Sequence, residues 1–332
     1  MTSLPAQVEA YGREHHLWRR GAHFVVACSG GSDSLSLLDI LSRLAPKYAW
    51  QLTACYVHHG IRKAADDEVE LVRKEAIKRH CGFACQYVDV PLLAKKEHAS
   101  AEAIGHRERY RIFQETARAC GADFIAVAHH ADDQAETVLL HLLRGSGLEG
   151  LTGMQPRRGR VIRPLLGVTK AGLREYAKQR HLPVSEDETN TDTAYRRNRI
   201  RWELLPLLRT YNPAITADLN RLAAILSADN AYLDAACQKL YSLYVDEKGK
   251  TASVQKRAFL ALPLSMQRRL LRRMWQTVTG SARNLPFHYI ETLCSLMQKG
   301  AGKEFQSGLA RAYTTHDLFC LEPAKPISRH HG

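Results

Sequence analysis

The sequence predicts an α/β fold in which a Rossmann-like, doubly wound parallel sheet is followed by a second, smaller, mostly helical domain. Two observations support this prediction. In the first half of the chain, short β-rich runs alternate with longer segments of helical periodicity, a pattern typical of a parallel sheet wound with helices. Beyond about residue 211 this alternation stops and long helical patterns dominate.

Four short runs rich in β-branched and aromatic residues are the predicted strands, at residues 25–28, 52–57, 84–90 and 124–128. The segments with helical periodicity lie near residues 33–46, 64–82, 99–120 and 131–144. Because ligands of such sheets bind beyond the carboxyl ends of the strands, polar residues are expected where strands end beside a site. They follow the first, second and fourth predicted strands.

The first strand runs into the hexapeptide Ser29-Gly30-Gly31-Ser32-Asp33-Ser34. Two glycines allow the backbone to approach a phosphate and to adopt positive φ, while hydroxyls and the N–H groups of a helix's first turn supply donors. Asp33 would repel a phosphate unless a hard cation such as Mg²⁺ lies between them. The hexapeptide therefore predicts a phosphate site, although a simple turn with an N-cap remains an alternative at this point.

The second strand ends in His58-His59-Gly60-Ile61-Arg62, and the fourth ends in a polar run at residues 129–137. In that run, Asp132, Asp133 and Glu136 have spacings that share one helical face. One interpretation is that these carboxylates only complement the helix dipole, which contributes about 0.3–1 kcal/mol of stability each. The other is that they form a metal or base site opposite the phosphate loop. The adjacent histidines do not favour a zinc site, because neighbouring side chains point to different faces. Hydrogen bonding to a nucleotide or to the backbone is the favoured role.

The charge of the chain favours a nucleic-acid partner. Lys and Arg number 47 against 34 Asp and Glu, which gives a formal net charge of +13. A basic surface of this size suits RNA, although it also suits ATP or acidic lipid. Arginines crowd residues 196–209 and again residues 268–273, where a solvated surface is the ordinary alternative to RNA contact.

Two further features bear on the cellular compartment. No apolar run approaches the ~20 residues of a membrane span, and the first residues lack the pattern of a signal peptide, so a soluble cytoplasmic protein is expected. The eight cysteines are scattered without a Cys-x-x-Cys pair, which favours buried reduced thiols.

Together these stretches resemble the tRNA(Ile)-lysidine synthetase family of the PP-loop N-type ATP pyrophosphatase superfamily. The resemblance rests on the hexapeptide, on residues 57–62, Arg109-Tyr110, residues 128–151 and 163–166, and on residues 187–190 with 196–201. His106 stands where the family usually has Arg, and Glu186-Asp187-Glu188 replaces the more usual Asp-Pro-Ser.

The resemblance implies a PP-loop ATPase domain that uses ATP and Mg²⁺ to ligate L-lysine to the wobble cytidine of tRNA(Ile) with a CAU anticodon. An adenylated cytidine is the intermediate, and AMP and pyrophosphate are released. The product, lysidine, changes codon specificity from AUG to AUA and identity from Met to Ile. Whether two chains pair as a homodimer is left open.

The expected site residues follow from these motifs and the resemblance. ATP would bind Ser29, Gly30, Gly31, Ser32, Asp33, Ser34, His58 and Arg62. The expected catalytic residues are Asp33, Asp132, Asp133 and Glu136, with Asp33 and Asp132 as metal ligands. The expected tRNA contacts are Arg109, Arg196, Arg197, Arg201, Arg268, Arg269 and Arg272.

Residues 1–210 are the expected catalytic domain, residues 211–326 a tRNA-binding domain that ends in short strands, and residues 327–332 a disordered tail. This arrangement resembles the shorter architecture of the family. Three other functions stay open: a PP-loop tRNA thiolase, for which paired cysteines are missing, an ammonia-using amide ligase, and a non-catalytic RNA-binding protein that holds ATP. Three carboxylates at Asp33, Asp132 and Asp133 argue against the last.

Overall fold

A computed structural model describes residues 3–60, 64–183, 196–282 and 285–324 of the chain. The chain divides into two compact units, of which the first ends at Leu226 and the second begins at Ser227. The sequence placed this boundary at residues 210 and 211. Arg62, the motif at residues 187–190 and the tail at 327–332 lie outside the described residues.

The first unit is built on a six-stranded sheet with the strand order β3-β2-β1-β4-β6-β5. All neighbours are parallel except β5 and β6, which are antiparallel. The strands are β1 His23–Ala27, β2 Gln51–His58, β3 Gly82–Tyr87, β4 Phe124–Ala126, β5 Arg157–Arg158 and β6 Val161–Ile162.

Helices cover both faces of this sheet. They are α1 Leu4–Glu14, α2 Ser32–Tyr48, α3 Ala64–Lys78, α4 Val90–Glu97, α5 Ala101–Ala119, α6 Ala131–Leu143, α7 Leu148–Leu151, α8 Lys170–Gln179, α9 Arg196–Arg199, a π-helical turn Ile200–Leu204, α10 Leu205–Tyr211 and the start of α11 Ile215–Tyr244. Alternation along β1 separates two cores, because Phe24 packs in the cluster that contains α2, whereas Val25 packs in the cluster that contains Phe113 of α5. The doubly wound α/β class predicted from the sequence is confirmed.

The third strand ends earlier than the sequence-based expectation. The third strand was expected at residues 84–90 but ends at Tyr87, and α4 begins at Val90. Asp89 is the N-cap of α4, and its carboxylate accepts a hydrogen bond from the Leu92 N–H at 2.9 Å. A capping Asp followed by Pro91 in the first turn favours a helix start over a continued strand.

The strand order places the phosphate loop and the acidic run side by side. The chain leaves β1 on the side of β2 and returns to pair β4 on its other side, so the direction of winding changes between β1 and β4. A ligand crevice is expected at such a point, beyond the carboxyl ends of the strands. The helices α2, α6 and α8 all begin at this edge, after β1, β4 and β6 respectively.

The second unit contains a five-stranded antiparallel sheet with the order β7-β8-β11-β10-β9, together with the later part of α11 and the helices α12, α13 and α14. Its elements are β7 Val245–Lys248, β8 Thr251–Gln255, α12 Lys256–Leu260, α13 Leu264–Thr279, α14 Phe287–Gln298, β9 Glu304–Gln306, β10 Ala310–Thr314 and β11 Leu318–Pro323. The hairpin of β7 and β8, which turns at Gly249 with φ +63°, was not expected from the sequence. Within the described ranges, no helix combines the length and apolar character that a bilayer span requires.

Candidate active site

The hexapeptide after β1 forms a compact loop with an open anion cradle. Gly30 has φ +82°, and Gly31 is the N-cap of α2. The Ser34 hydroxyl stabilises the loop, because it accepts a hydrogen bond from the Ser29 N–H at 3.1 Å and donates to the Gly31 carbonyl at 3.0 Å. Since Gly31 has no side chain to cap α2, the first N–H groups of this helix are available to an anion.

Space at the loop is also suited to a close ligand. A Cβ atom added at Gly31 would meet only the Ser29 hydroxyl, at 3.7 Å. The backbone at Gly31 is extended, so an L side chain is allowed there, but its atoms would occupy the cradle itself. The absence of a side chain at Gly31 thus leaves room for a phosphate. It is not required by the backbone conformation.

Lys170, the first residue of α8, lies against this loop and was not among the residues expected from the sequence. Its ammonium donates to a carboxylate oxygen of Asp33 at 2.5 Å and to the Ser32 hydroxyl at 3.4 Å. Thr169 caps α8 by accepting the Gly172 N–H at 3.1 Å. A cation beside a phosphate cradle can neutralise a phosphate as well as a carboxylate.

Asp132, in the first turn of α6, contacts both the start of α8 and a side chain of α10. One of its carboxylate oxygens accepts the backbone N–H of Lys170 at 2.8 Å, and the other accepts Arg209 at 2.9 Å. The expected general-base or metal role of Asp132 therefore has to compete with two donors. The carboxylate is also what holds Lys170 at the loop.

His130 and Asp133 form a capping box at the start of α6. The His130 Nδ1 atom accepts the Asp133 N–H at 3.3 Å, while an Asp133 carboxylate oxygen accepts the His130 N–H at 3.1 Å. The Nε2 atom of His130 lies 3.4 Å from an Asp133 carboxylate oxygen and 3.7 Å from an Asp33 oxygen, so the imidazole lies between the two carboxylates.

Asp133 and Glu136 face two arginines of the segment that begins at residue 196. Arg197 contacts Glu136 at 2.9 Å and Asp133 at 3.0 Å, and Arg201 contacts them at 2.6 and 3.0 Å. Only 1% of Glu136 and 8% of Asp133 is exposed. Buried carboxylates need such partners, and the two guanidinium groups provide them.

This environment determines the charge of the cluster. Burial by itself would raise the pKa of Asp133, but the charge of Arg197 and the hydrogen bond from the His130 backbone N–H outweigh it, so the pKa is lowered and the group stays ionised. Burial also lowers the pKa of His129, to about 4, which keeps that imidazole neutral near neutral pH. The site thus holds fixed negative charge beside a neutral histidine.

A buried network fixes α8 relative to α2. Asp39, which lies six residues beyond Asp33 on α2, is 4% exposed. Its carboxylate accepts the Tyr176 hydroxyl of α8 at 2.6 Å and two nitrogens of Arg79 at 3.0 and 3.1 Å. Since Tyr176 follows Lys170 by six residues, the same two helices are joined at both places.

His58, at the end of β2, is buried and packs against Tyr87 with ring centroids 4.6 Å apart. Its Nδ1 atom accepts the Gly60 N–H at 3.1 Å, and its Nε2 atom lies 3.5 Å from Asp66. Its expected partner in nucleotide binding, Arg62, lies outside the described residues.

The arginines expected to bind tRNA fall into different environments. Arg109 and Arg196 are exposed, whereas Arg197 and Arg201 turn toward the carboxylates. In the second unit, Arg268 forms a two-pronged pair with Glu291 at 2.8 and 3.0 Å, and Arg269 pairs with Asp234. Arg272 is partly exposed. These RNA contacts remain predictions.

The donors suit Mg²⁺ at Asp33 better than at Asp132. Among the described residues, no three His, Cys, Asp or Glu side chains are grouped to hold a metal ion by themselves. Mg²⁺ is commonly bound by one or two carboxylates together with substrate phosphates. Asp33 fits that set better than Asp132 because it lies on the loop of the cradle itself, although both oxygens of each carboxylate already accept donors.

The fold and this edge of the sheet define the class. A profile of the PP-loop domain matches residues 6–208, and the chain belongs to the PP-loop family. A tRNA(Ile)-lysidine synthase of Thermosynechococcus vestitus is 34% identical over 86% of this chain and 82% of its own length. Within the PP-loop family, the chain therefore belongs to the tRNA(Ile)-lysidine synthases.

Two further comparisons concern the length of the relatives and the fold. A tRNA(Ile)-lysidine synthase of Clostridium acetobutylicum is 34% identical over 91% of this chain, which spans 66% of that relative's length, slightly less than two thirds. The solved U34-tRNA thiolase NcsA of Methanococcus maripaludis, described with its [4Fe-4S] cluster, shares the fold with a TM-score of 0.56. It is 16% identical and covers 67% of this chain and 79% of its own, so it supports the fold alone.

Proposed function

We propose that this protein ligates L-lysine to the wobble cytidine of tRNA(Ile) bearing a CAU anticodon, in an ATP-dependent reaction. The observation that carries the proposal is one sheet edge on which a phosphate loop with Asp33 and Lys170 adjoins the buried Asp133–Glu136 cluster. The similarity to tRNA(Ile)-lysidine synthases supports the same reaction.

The triphosphate of ATP would lie on the backbone N–H groups at the start of α2. Lys170 would then exchange Asp33 for a phosphate, since its ammonium already lies 3.4 Å from the Ser32 hydroxyl of the loop. Asp33, released from the ammonium, would hold Mg²⁺. Bound there, Mg²⁺ would offset the charge that collects on the leaving pyrophosphate.

Two displacement steps account for the reaction. The cytidine 2-oxygen attacks the α-phosphorus, and the bond to the α,β-bridging oxygen breaks, which releases pyrophosphate. The lysine ε-amine then attacks C2 of the adenylated base, and the C–O bond to AMP breaks. Since this amine has an ordinary pKa of about 10.4, it must first give up a proton.

The cluster of two carboxylates and two arginines suits free lysine. Asp133 and Glu136 match ammonium groups, and Arg197 and Arg201 match an α-carboxylate. A lowered pKa makes Asp133 a better ligand for a cation and a weaker proton acceptor. We therefore assign lysine binding to Asp133 and Glu136, and proton acceptance to the more exposed Asp132, whose side chain is 19% exposed.

The tRNA would be held by basic side chains, in keeping with the net charge of +13. Arg109 and Arg196 are the exposed members of the contacts expected in the first unit. We propose a cytoplasmic location, because a reaction on tRNA belongs where translation takes place. Whether two chains associate as a homodimer stays open, and sedimentation equilibrium tests it.

The decisive experiment incubates the protein with ATP, Mg²⁺, labelled lysine and unmodified tRNA(Ile), with elongator tRNA(Met) as the matched control. Label should appear on tRNA(Ile) alone, together with tRNA-dependent pyrophosphate release. Pyrophosphate release without any label on either tRNA would contradict ligation. Binding of ATP and tRNA without pyrophosphate release would instead identify a non-catalytic binder.

A further inference from the structure

The opposite edge of the six-stranded sheet carries a second, basic site. A cleft of about 580 Å³ opens where β1, β4 and β6 begin, and its lining includes Arg19, Arg118, Asp123, Arg157 and Arg160. Because these three strands are parallel, the cleft lies at the edge away from the phosphate loop. No residue of the candidate active site takes part in it.

The charge of the cleft is largely uncompensated. Its acidic residue, Asp123, is neutralised by Arg19 at 2.7 Å and accepts the His23 N–H at 3.0 Å. The His23 N–H and Arg19 together lower the pKa of Asp123, so it stays ionised and paired. Within the described ranges, Arg118, Arg157 and Arg160 have no carboxylate within ion-pair distance.

Two of these arginines are held in place without being neutralised. The Arg157 guanidinium lies over the Phe124 ring at 5.0 Å and donates to the Gly159 carbonyl at 3.1 Å. Arg118 donates to the Gln114 carbonyl at 3.3 Å. Such contacts orient a guanidinium but leave its charge for an external anion, for which its planar fork is suited.

The form of the cleft favours an extended polyanion over a single bound phosphate. Helix α5 ends here at Ala119, and the partial negative charge of a helix C-terminus disfavours a small anion bound close to it. The arginines of the lining can nevertheless contact successive phosphates of a chain, because each guanidinium presents several donors. The longest strand, β2, has eight residues or about 26 Å, so an extended RNA can reach both edges.

We propose that this cleft binds the phosphate backbone of RNA, at a place distinct from the catalytic edge. This proposal rests on the proposed function for the identity of the RNA, which is the tRNA substrate. The arginines would raise affinity for tRNA without recognising its sequence. They are not expected to influence the chemical steps.

The test compares two triple variants of equal charge. One carries Arg118→Gln, Arg157→Gln and Arg160→Gln, and the control carries Lys74→Gln, Arg174→Gln and Lys178→Gln at exposed positions of α3 and α8. The Kd for unmodified tRNA(Ile) is measured over a range of KCl concentrations. Loss of three phosphate contacts should reduce the slope of log Kd against log salt by about 2 and raise the Kd about tenfold at low salt.

The control should keep the wild-type slope, and the cleft variant should keep its kcat at saturating tRNA. Equal slopes for both variants would overturn the proposal. A loss of binding to polyglutamate but not to tRNA would overturn it as well and indicate an acidic protein partner. If the slope changes as expected but the wild-type protein forms no lysidine, the cleft stands and the proposed function fails.

Discussion

The ammonium of Lys170 lies 2.5 Å from a carboxylate oxygen of Asp33, although the two residues are 137 positions apart in the chain. The pair links the phosphate loop after β1 to the start of α8 after β6. The two groups neutralise each other where a phosphate and a cation are expected. We therefore expect ATP binding to exchange this ion pair.

Replacing Lys170 with Met should reduce tRNA-dependent pyrophosphate release by about 10²–10³-fold, because one charged donor to the transition state is lost. Single-turnover kinetics at saturating ATP measures the effect. Lys178→Met, an exposed substitution on the same helix, is the control and should leave the rate unchanged. Equal rates for both variants would remove Lys170 from the mechanism.

Gly31→Ala should preserve folding but weaken ATP binding. The added methyl meets no backbone, yet it occupies the cradle and costs at least one charge-assisted hydrogen bond, about 1.5–3 kcal/mol. Calorimetric titration with a non-hydrolysable ATP analogue measures the affinity. Gly30→Ala is the contrasting variant, since φ +82° should cost about 1–2 kcal/mol of stability. Wild-type affinity in Gly31→Ala would contradict the cradle.

Glu136→Gln should raise the KM for lysine at least tenfold while tRNA-dependent pyrophosphate release persists. The change leaves Arg197 and Arg201 without one of their carboxylates and removes a ligand for an ammonium group. Glu203→Gln is the control, because Glu203 pairs with Arg199 on the exposed side of the same segment. An unaltered KM would place the lysine site elsewhere.

Asp132→Asn and Asp133→Asn should separate proton acceptance from lysine binding. Asp132→Asn is expected to lower the rate of lysine transfer with little change in lysine affinity, and Asp133→Asn to weaken that affinity. Adenylation and transfer are measured separately in single turnovers. If both variants are fully active, neither carboxylate belongs to the mechanism.

Asp39→Asn should destabilise the protein and reduce its sensitivity to acid. Burial would raise the pKa of Asp39, but the Tyr176 hydroxyl and Arg79 lower it below its usual value near 3.8. A lowered folded pKa gives stability that is present above the unfolded pKa and lost as the pH falls through the folded one. Between pH 6 and pH 3 the wild type should therefore lose more Tm than the variant.

Tyr176→Phe provides a milder comparison, because it removes one hydrogen bond of about 1 kcal/mol while Arg79 still faces the carboxylate. Arg43→Gln, at a half-exposed partner of Asp39, should have a small effect. A pH dependence that is identical in Asp39→Asn and wild type would exclude Asp39 as its source.

The sequence predicted the local features of the site well and its long-range contacts poorly. Alternating strands and helices, with polar residues after each strand, were enough to place Asp33 and Asp133 at one edge. The partner of Asp33 was missed, because Lys170 carries no motif of its own and reaches the loop only through the pairing of β4 with β6. Thr169, a good N-cap after a strand on the same edge, was the available signal.

The arginines show a second limit of prediction from sequence. A run of arginines predicts surface charge, yet Arg197 and Arg201 turn inward, because the buried carboxylates of Asp133 and Glu136 must be compensated. Composition cannot distinguish the two situations. Only the packing of the segment after residue 196 against α6 decides which side chains face solvent.

Helices α2, α6 and α8 begin at the edge that holds the phosphate loop. The partial positive charge at each start, about half an elementary charge, belongs to peptide groups that every sequence of this fold possesses. Side chains decide what meets this charge, because Asp132 and His130 accept N–H groups at the starts of α8 and α6, whereas Gly31 leaves those of α2 to an external anion. Proteins of this fold can therefore change the carboxylates and lysines that determine the reaction and still bind a nucleotide at this edge of the sheet.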